Sequence, residues 1–382
     1  MNSVDTKART FEGWISTSVN QDMVWAYFTP KPWEETDIDI RVTHCGVCGS
    51  DVHVLHNGWG STDYPVIVGQ EIIGIAVRVG TRVDANIKVG DRVGVGAQSD
   101  SCLCRKPPDV AEDWSDCTEC ATGKENWCRR ASTTYNSTFH SAAAFGAQTM
   151  GGYARYHRCP SHFVFKIPPG LRSEHAAPMM CAGATVYGAL FHAVKGGGSG
   201  LLERHLDGLS IGIVGIGGLG HLAIMFAKAM GAANIVAISR YANKHEDALK
   251  LGADDYIAMD EEINLEKYKN GLDLIISTIS QTTSTNSHLH LLRRGGRYVM
   301  VGMPSDRMLQ VDAAILVLKQ VEITGSLIAS PAELRRMLQF VTDNSIKPLI
   351  EVMDMKKAND AVRRVDAGEA RYRIVLRNGG KL

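Results

Sequence analysis

The chain reads as an α/β protein in two parts, a β-rich half followed by a doubly wound parallel sheet, and three observations predict this. Up to about Met180, short β-branched runs such as Ile38-Asp39-Ile40-Arg41-Val42 and Val66-Ile67-Val68 are broken by Gly and Pro, with little helical periodicity. From Ser210 onward, apolar runs of strand length alternate with runs of helical length, the order that builds a parallel sheet with helices on both faces. Between the first such strand and the first such helix stands Gly215-Ile216-Gly217-Gly218-Leu219-Gly220, a turn of dinucleotide-binding kind in the strand-to-helix context that motif requires.

Element by element, the second half predicts a strand at Ile211 to Val214, a helix at Gly220 to Met230, a strand at Ile235 to Ile238, a helix at Lys244 to Leu251, and strands at Leu274 to Ser277 and Tyr298 to Val301. A helix at Ala332 to Phe340 and a last strand at Tyr372 to Leu376 are too little for a third domain, so they return to the first. Residues 1–182 with 332–382 are thus expected to form the β-rich domain, and 183–331 the nucleotide-binding domain. Gly196-Gly197-Gly198-Ser199-Gly200 reads as a flexible surface loop.

Bulk properties bound the function. A chain of 382 residues suits about two domains. Its 41 basic and 41 acidic side chains cancel, and no run of like charge marks a nucleic-acid or anionic-lipid partner. No stretch of eighteen apolar residues occurs, and Met1 to Arg9 lacks the apolar core of a signal peptide, so a soluble cytoplasmic protein is expected. Nine cysteines in such a chain fit metal ligation under reducing conditions better than a disulfide framework.

Cys117-x2-Cys120-x7-Cys128 brings three soft thiolates within reach of one ion, the donor set of a structural Zn²⁺. Cys102 and Cys104 both lie upstream, across an acidic, Pro-containing insert from Lys106 to Asp116, and either completes a Cys₄ site by spacing alone. In the Gly-rich turn, Gly215 permits the tight bend, Gly217 lets backbone approach a pyrophosphate, and Gly220 allows close helix packing, with Gly218 and Leu219 completing the phosphate cradle. An NAD enzyme usually ends its second strand in Asp or Glu. Here the chain reads Ser239-Arg240-Tyr241-Ala242-Asn243-Lys244, where two cations suit a 2′-phosphate and Ser239 offers a hydrogen bond, pointing to NADP(H).

A third constellation, Cys45-Gly46-Val47-Cys48-Gly49-Ser50-Asp51-Val52-His53, then Gly69-Gln70-Glu71 and Cys181, lies in the β-rich half. With Gly90-Asp91-Arg92-Val93-Gly94, Gly151-Gly152-Tyr153-Ala154, Cys181-Ala182-Gly183-Ala184-Thr185, Leu251-Gly252-Ala253-Asp254 and Arg371-Tyr372-Arg373, it makes nearly the whole chain resemble the zinc-dependent medium-chain alcohol dehydrogenases, in their cinnamyl-alcohol-dehydrogenase-like, NADPH-preferring branch.

The resemblance implies a GroES-like catalytic domain beside a Rossmann domain, a homodimer, and two zinc ions per chain. It assigns Cys48 and Cys181 as catalytic zinc ligands and leaves Cys45 a buried thiol. Gly69-Gln70-Glu71 stands where the family has Gly-His-Glu, so the shell is completed by Glu71 together with Gln70 or water. It favours Cys102 over Cys104 in the structural set. It makes Ser50 and His53 a proton relay, and it adds Thr185, Thr278, Gly302 and Ser326 to the cofactor contacts. Trp59 and Tyr64 are candidates for an aromatic slot. The implied activity is reversible NADPH-dependent reduction of bulky apolar aldehydes to primary alcohols; reduction of a conjugated C=C or iminium, cofactor binding without catalysis, and an NAD-linked polyol dehydrogenase, which shares the fold but leaves Arg240 and Lys244 unexplained, stay open as alternatives.

Overall fold

The structure, a computed structural model, describes residues 10–83, 86–107, 110–141, 143–193, 206–259, 266–280, 285–304 and 306–379. The chain divides into two compact units, one of Met1–Cys181, Ser330–Thr342 and Ile350–Leu382, the other of Ala182–Ala329 and Asp343–Leu349.

The first unit is built on a seven-stranded sheet in the order Ile350–Asp354, Arg373–Arg377, Asp37–Gly46, Glu71–Val79, Arg92–Val95 and Val164–Lys166, with Tyr156–Pro160 pairing to Asp37–Gly46 off this path. Asp37–Gly46 pairs along both edges, and Ile38, Ile40 and Val42, which share one of its faces, are buried in the core. Its antiparallel register sets Gly46 opposite Glu71 on one side and Val375 on the other. Only glycine fits there, since a Cβ at Gly46 would sit 1.9 Å from Glu71 Oε2. This crossing of three strands fixes where Glu71, Arg373 and the loop leading to Cys48 lie.

The second unit carries a six-stranded parallel sheet ordered Asp255–Ala258, Asn234–Ser239, Ser210–Val214, Leu272–Ser277, Leu292–Met300 and Glu322–Gly325. Chain order reverses at Ser210–Val214, whose neighbours are the next strand in sequence on one side and a later one on the other. The crevice at such a switch point is where a doubly wound sheet binds its ligand, and the Gly-rich turn leaves the sheet there. Val214, Val236, Ile238, Ile275 and Tyr298 fill its core.

Several elements differ from expectation. Val66 to Val68 is not a strand: Val66 makes a single bridge to Ser16, and Ile67 and Val68 accept from the Gly151 and Tyr153 amides as an extended buried segment. An apolar run is equally at home in either, because burial and not ladder pairing selects it. Lys244 closes a short 3₁₀ turn, Ala242–Lys244, ahead of the helix His245–Leu251. The C-terminal helix runs further, over Pro331–Asp343, and the strand Ile350–Asp354 and helix Ala358–Asp366 follow it. The last strand is Arg373–Arg377, one residue later than expected. Gly196 to Gly200 lies outside the described residues. Among those described, no helix is long and apolar enough to cross a membrane.

Candidate metal centres and nucleotide-binding turn

In the first unit the thiols of Cys102, Cys117, Cys120 and Cys128 lie within 4.8 Å of one another. Sγ–Sγ separations are 3.6 Å for Cys102–Cys120, 3.6 Å for Cys102–Cys128 and 3.8 Å for Cys117–Cys128. A tetrahedron with Zn–S bonds of about 2.3 Å has edges of about 3.8 Å, so the four thiols fit the ion the spacing predicted. Cys104 is not among them; its Sγ donates to the Cys117 carbonyl at 3.5 Å from a left-handed backbone position. Trp114, from the acidic insert, is buried against the cluster under the Arg130 guanidinium, 4.5 Å from the ring centroid.

A second group forms from Cys48, Glu71 and Cys181, all buried, with one ligand atom each within 4.8 Å of the others. Cys48 ends the loop after Asp37–Gly46, where Val47 N–H donates to Ile374 and ties the loop to the neighbouring strand. It caps the helix Gly49–Leu55. Cys181 lies on a π-helical turn, Met179–Gly183, which follows the helix Ser173–Pro178. Pro178 has no N–H to continue the α-helical ladder, and a widened turn at such a break re-aims a side chain toward a site. Glu71 accepts from Arg373 across the sheet. Burial pushes the Glu71 carboxyl up to about 8 and the Arg373 guanidinium opposes this. The hydrogen bond from Cys181 holds the Cys48 thiol well below its usual range while the Cys181 thiol is pushed up, so the pair shares one proton. Two thiols and a carboxylate packed in a dry site suit a divalent ion of zinc's chemistry.

Asp51 organises this region. Buried beneath the helix, it accepts from Cys48 N at 2.8 Å, Gly69 N at 2.9 Å and Tyr153 Oη at 2.9 Å, so one carboxylate locks the Cys48 loop to the Gly69-Gln70-Glu71 segment. Burial raises its pKa to about 6. Gln70, itself buried, donates from Nε2 to Cys181 Sγ at 3.2 Å. Sequence reasoning gave Asp51 and Arg373 no role. Arg373 meets Glu71 across 302 positions, and no spacing rule signals that.

Ser50 Oγ lies 3.5 Å from Cys48 Sγ, and His53 is one turn further along the same helix face. The His53 ring stacks on Trp59, centroids 4.3 Å apart and 17° from parallel. Trp59 thus backs the histidine, while Tyr64 packs against the sheet core and donates to the Leu55 carbonyl at 3.3 Å. Cys45 is fully buried, His44 contacts Thr43, and exposed His56 meets Asn20 and Asp366.

In the second unit, Gly215 adopts φ +87° and Gly220 packs so tightly that a Cβ would lie 1.9 Å from the Gly215 carbonyl oxygen. A Cβ on Gly217 would meet nothing within 4 Å, so the turn presents open backbone as a phosphate cradle requires. Thr278 Oγ1 donates to the Gly215 carbonyl at 2.7 Å, and Gly302 N–H donates to Ser277 at 3.2 Å. Ser326 N–H donates to Met300 at 2.9 Å, so Thr278, Gly302 and Ser326 follow the ends of consecutive or paired strands. Lys244 Nζ donates to the Ile216 carbonyl at 2.6 Å, which brings this cation to the Gly-rich turn. Ser239 ends its strand, and Arg240 is exposed with its guanidinium 5.7 Å from the Tyr241 ring. Gly218 and Leu219 lie in the turn, and Thr185 is buried on the helix Ala184–His192 of the same unit.

Comparison with known proteins gives the same class. The alcohol dehydrogenase GroES-like domain family matches residues 34–169, and the zinc-binding dehydrogenase family matches 218–343. An NADP-dependent alcohol dehydrogenase of Saccharomyces cerevisiae is 38% identical over 91% of this chain and 91% of its own. A cinnamyl alcohol dehydrogenase structure from Sorghum bicolor superposes with a TM-score of 0.88 at 33% identity, covering 98% of this chain and 99% of that one. A CAD structure from Helicobacter pylori, complexed with NADP(H), superposes at 0.84 with 27% identity over 98% and 99%. The chain belongs to the zinc-type medium-chain alcohol dehydrogenases, in the cinnamyl-alcohol-dehydrogenase-like branch.

Proposed function

We propose that the protein interconverts bulky apolar aldehydes, aromatic, allylic or medium-chain, and their primary alcohols with NADP(H), and that zinc assists. The observation that carries this reading is the buried trio Cys48, Glu71 and Cys181 with Ser50 beside it, in a chain that also has a dinucleotide turn. Cys48 and Cys181, with the Gln70-Glu71 step, are the residues for a catalytic zinc; Cys102, Cys117, Cys120 and Cys128 are those for a structural one. When bound, zinc supplies Lewis-acid polarisation of the carbonyl and NADPH supplies the hydride.

The chain's own residues do the rest. As hydride reaches the carbonyl carbon, negative charge develops on oxygen, and the Ser50 hydroxyl is placed to give that oxygen a proton. His53, half-buried one turn further along the helix, is the outer end of this relay, where protons exchange with solvent. In oxidation the same protons run outward. Asp51 and Arg373 hold Cys48 and Glu71 in place, so the donor atoms do not reorganise during the reaction. Gly215, Gly217 and Gly220 seat the pyrophosphate, and Arg240, Lys244 and Ser239 suit the 2′-phosphate. The likeness to a cinnamyl alcohol dehydrogenase of Sorghum bicolor supports an aldehyde with an extended apolar group.

The free state of all nine cysteines supports a cytoplasmic location. A homodimer is supported by the edge strand Glu322–Gly325 and the exposed Val317 and Leu318 beside it. The deciding experiment is product analysis with an α,β-unsaturated aromatic aldehyde and either NADPH or NADH. Allylic alcohol formed with NADPH is expected, and Arg240→Asp is expected to cut the preference for NADPH about 10- to 100-fold. A saturated aldehyde would move the activity to alkene reduction, and NADPH binding with no turnover would make the chain a binding protein.

A further inference from the structure

Gln70 stands beside two cysteine sulfurs and a carboxyl group, and its amide is committed to one of the sulfurs. Nε2 donates to Cys181 Sγ at 3.2 Å, in a side chain only 5% exposed. The segment has little freedom to turn, because Gly69 N–H is held by Asp51 on one side and Glu71 opens a strand on the other. Glu71 uses Oε1 for Arg373, while Oε2 lies toward Gly46. The atoms that converge are a sulfur of Cys48, a carboxylate oxygen of Glu71 and a sulfur of Cys181.

Resting on the proposal that this group holds a zinc ion, we infer that Glu71 supplies the third protein ligand and that Gln70 stays outside the coordination shell as a positioning residue, donating an N–H to the Cys181 thiolate. Two thiolates and a carboxylate give Zn²⁺ one excess negative charge, and the buried Arg373 guanidinium against Glu71 returns the group to neutrality. A carboxylate is a recognised direct ligand of zinc, as an imidazole is, whereas a neutral carboxamide oxygen is a poor one. The Gln70 N–H draws electron density from the Cys181 sulfur and fixes its lone pairs, the work that partners of metal ligands commonly do.

The test is cobalt(II) substitution of the full chain, read by metal content and by the visible thiolate-to-cobalt absorption. Spectra are taken as differences from Cys48→Ser, which reports the four-cysteine lobe alone. Gln70→Leu is expected to keep the wild-type metal count, to lose the second ion to a chelator about 10-fold more readily, and to shift its difference band to longer wavelength because Cys181 has lost its donor. A residue that serves packing alone would leave the band where it is, and that result overturns the inference. Glu71→Gln is expected to hold one ion fewer; if that variant does not fold, the count and band of Gln70→Leu decide. A Gln70→Leu chain one ion short of wild type makes Gln70 a ligand and overturns the inference while the zinc reading survives. Wild-type protein with no more metal than Cys48→Ser overturns the zinc reading itself.

Discussion

His53 shows how a single side chain can be tuned by what lies flat against it. Its imidazole is half-buried and stacked on Trp59, and this burial lowers its pKa below the usual 6.5, against an opposing pull from the negative charge of Cys48. A lowered pKa keeps the ring neutral, and able to accept a proton, down to a lower pH than a free histidine. Alcohol oxidation is therefore expected to rise with pH through an inflection below 6.5 and then level off. His53→Gln is expected to lose that inflection and about 100-fold in rate, the share a positioned proton-transfer group supplies. Trp59→Leu, which uncovers the ring, is expected to keep the inflection and move it upward toward 6.5. A wild-type inflection that survives in His53→Gln would take the relay away from this residue. The imidazole leaves no room for a larger neighbour: a Cβ on Gly58 would sit 2.6 Å from Nδ1. The relay role of His53 is implied by the resemblance, but its stacking is not legible in the sequence, where Trp59 reads as a candidate for an aromatic slot, since stacking depends on how the turn after Leu55 folds back.

At the scale of the element, the four-cysteine lobe and the Gly-rich turn were legible because their chemistry is local. Cys117, Cys120 and Cys128 fall within one short turn and its sequel, and the glycines fall within one strand-to-helix bend, so spacing alone brings the atoms together. Arg373 and Glu71 meet only because strands from the two ends of the chain flank Asp37–Gly46, and that follows from sheet order, which no short motif records. Val66 to Val68 misled for the complementary reason: its burial is real, but its hydrogen bonds go to the Gly151-Gly152-Tyr153 segment and not to a ladder. The choice between Cys102 and Cys104 also belongs to this scale, since both precede the insert and only the fold separates them. Cys102 lies 3.6 Å from both Cys120 and Cys128, whereas Cys104 is turned toward a carbonyl. Cys102→Ser is expected to lose one zinc per chain and to lower the unfolding temperature, because an ion that ties the lobe together contributes directly to its folding. Cys104→Ser is expected to keep the full zinc content and to unfold within about 2 °C of wild type, as an exchange at a half-buried position typically does. Zinc analysis and thermal unfolding of the two variants side by side check this, and the reverse ranking would make Cys104 the ligand.

Across the whole molecule, each unit contains a histidine that its core holds neutral. His157 lies in the sheet strand Tyr156–Pro160 and His288 in the helix Asn286–Leu291, where its ring stacks on Tyr298 at 6.3 Å between centroids. Burial pushes both down to about 4. The folded-state pKa is thus below the unfolded value of about 6.5. Above pH 6.5 both states are neutral and the histidines make no difference to stability. As pH falls from 6.5 toward 4, the unfolded chain takes up protons that the folded chain refuses, so stability is lost; below about 4 both states are charged and the loss reaches its limit. The gap corresponds to about 3 kcal/mol per histidine, a large share of the margin by which a protein of this kind stays folded. His288→Phe keeps a ring of similar shape against Tyr298 and removes the titrating group. Its unfolding temperature is expected to fall less than that of wild type when the pH is taken from 7.5 to 5, while the two proteins differ little at pH 7.5. Equal falls in the two proteins would mean that His288 is protonated without penalty and that acid sensitivity arises from other groups. Carboxylates such as Asp51, raised to about 6, act in the opposite direction over part of this range, because a group whose pKa is raised favours the fold as pH drops. The difference between His288→Phe and wild type isolates the contribution of this one histidine from those of the other titrating groups.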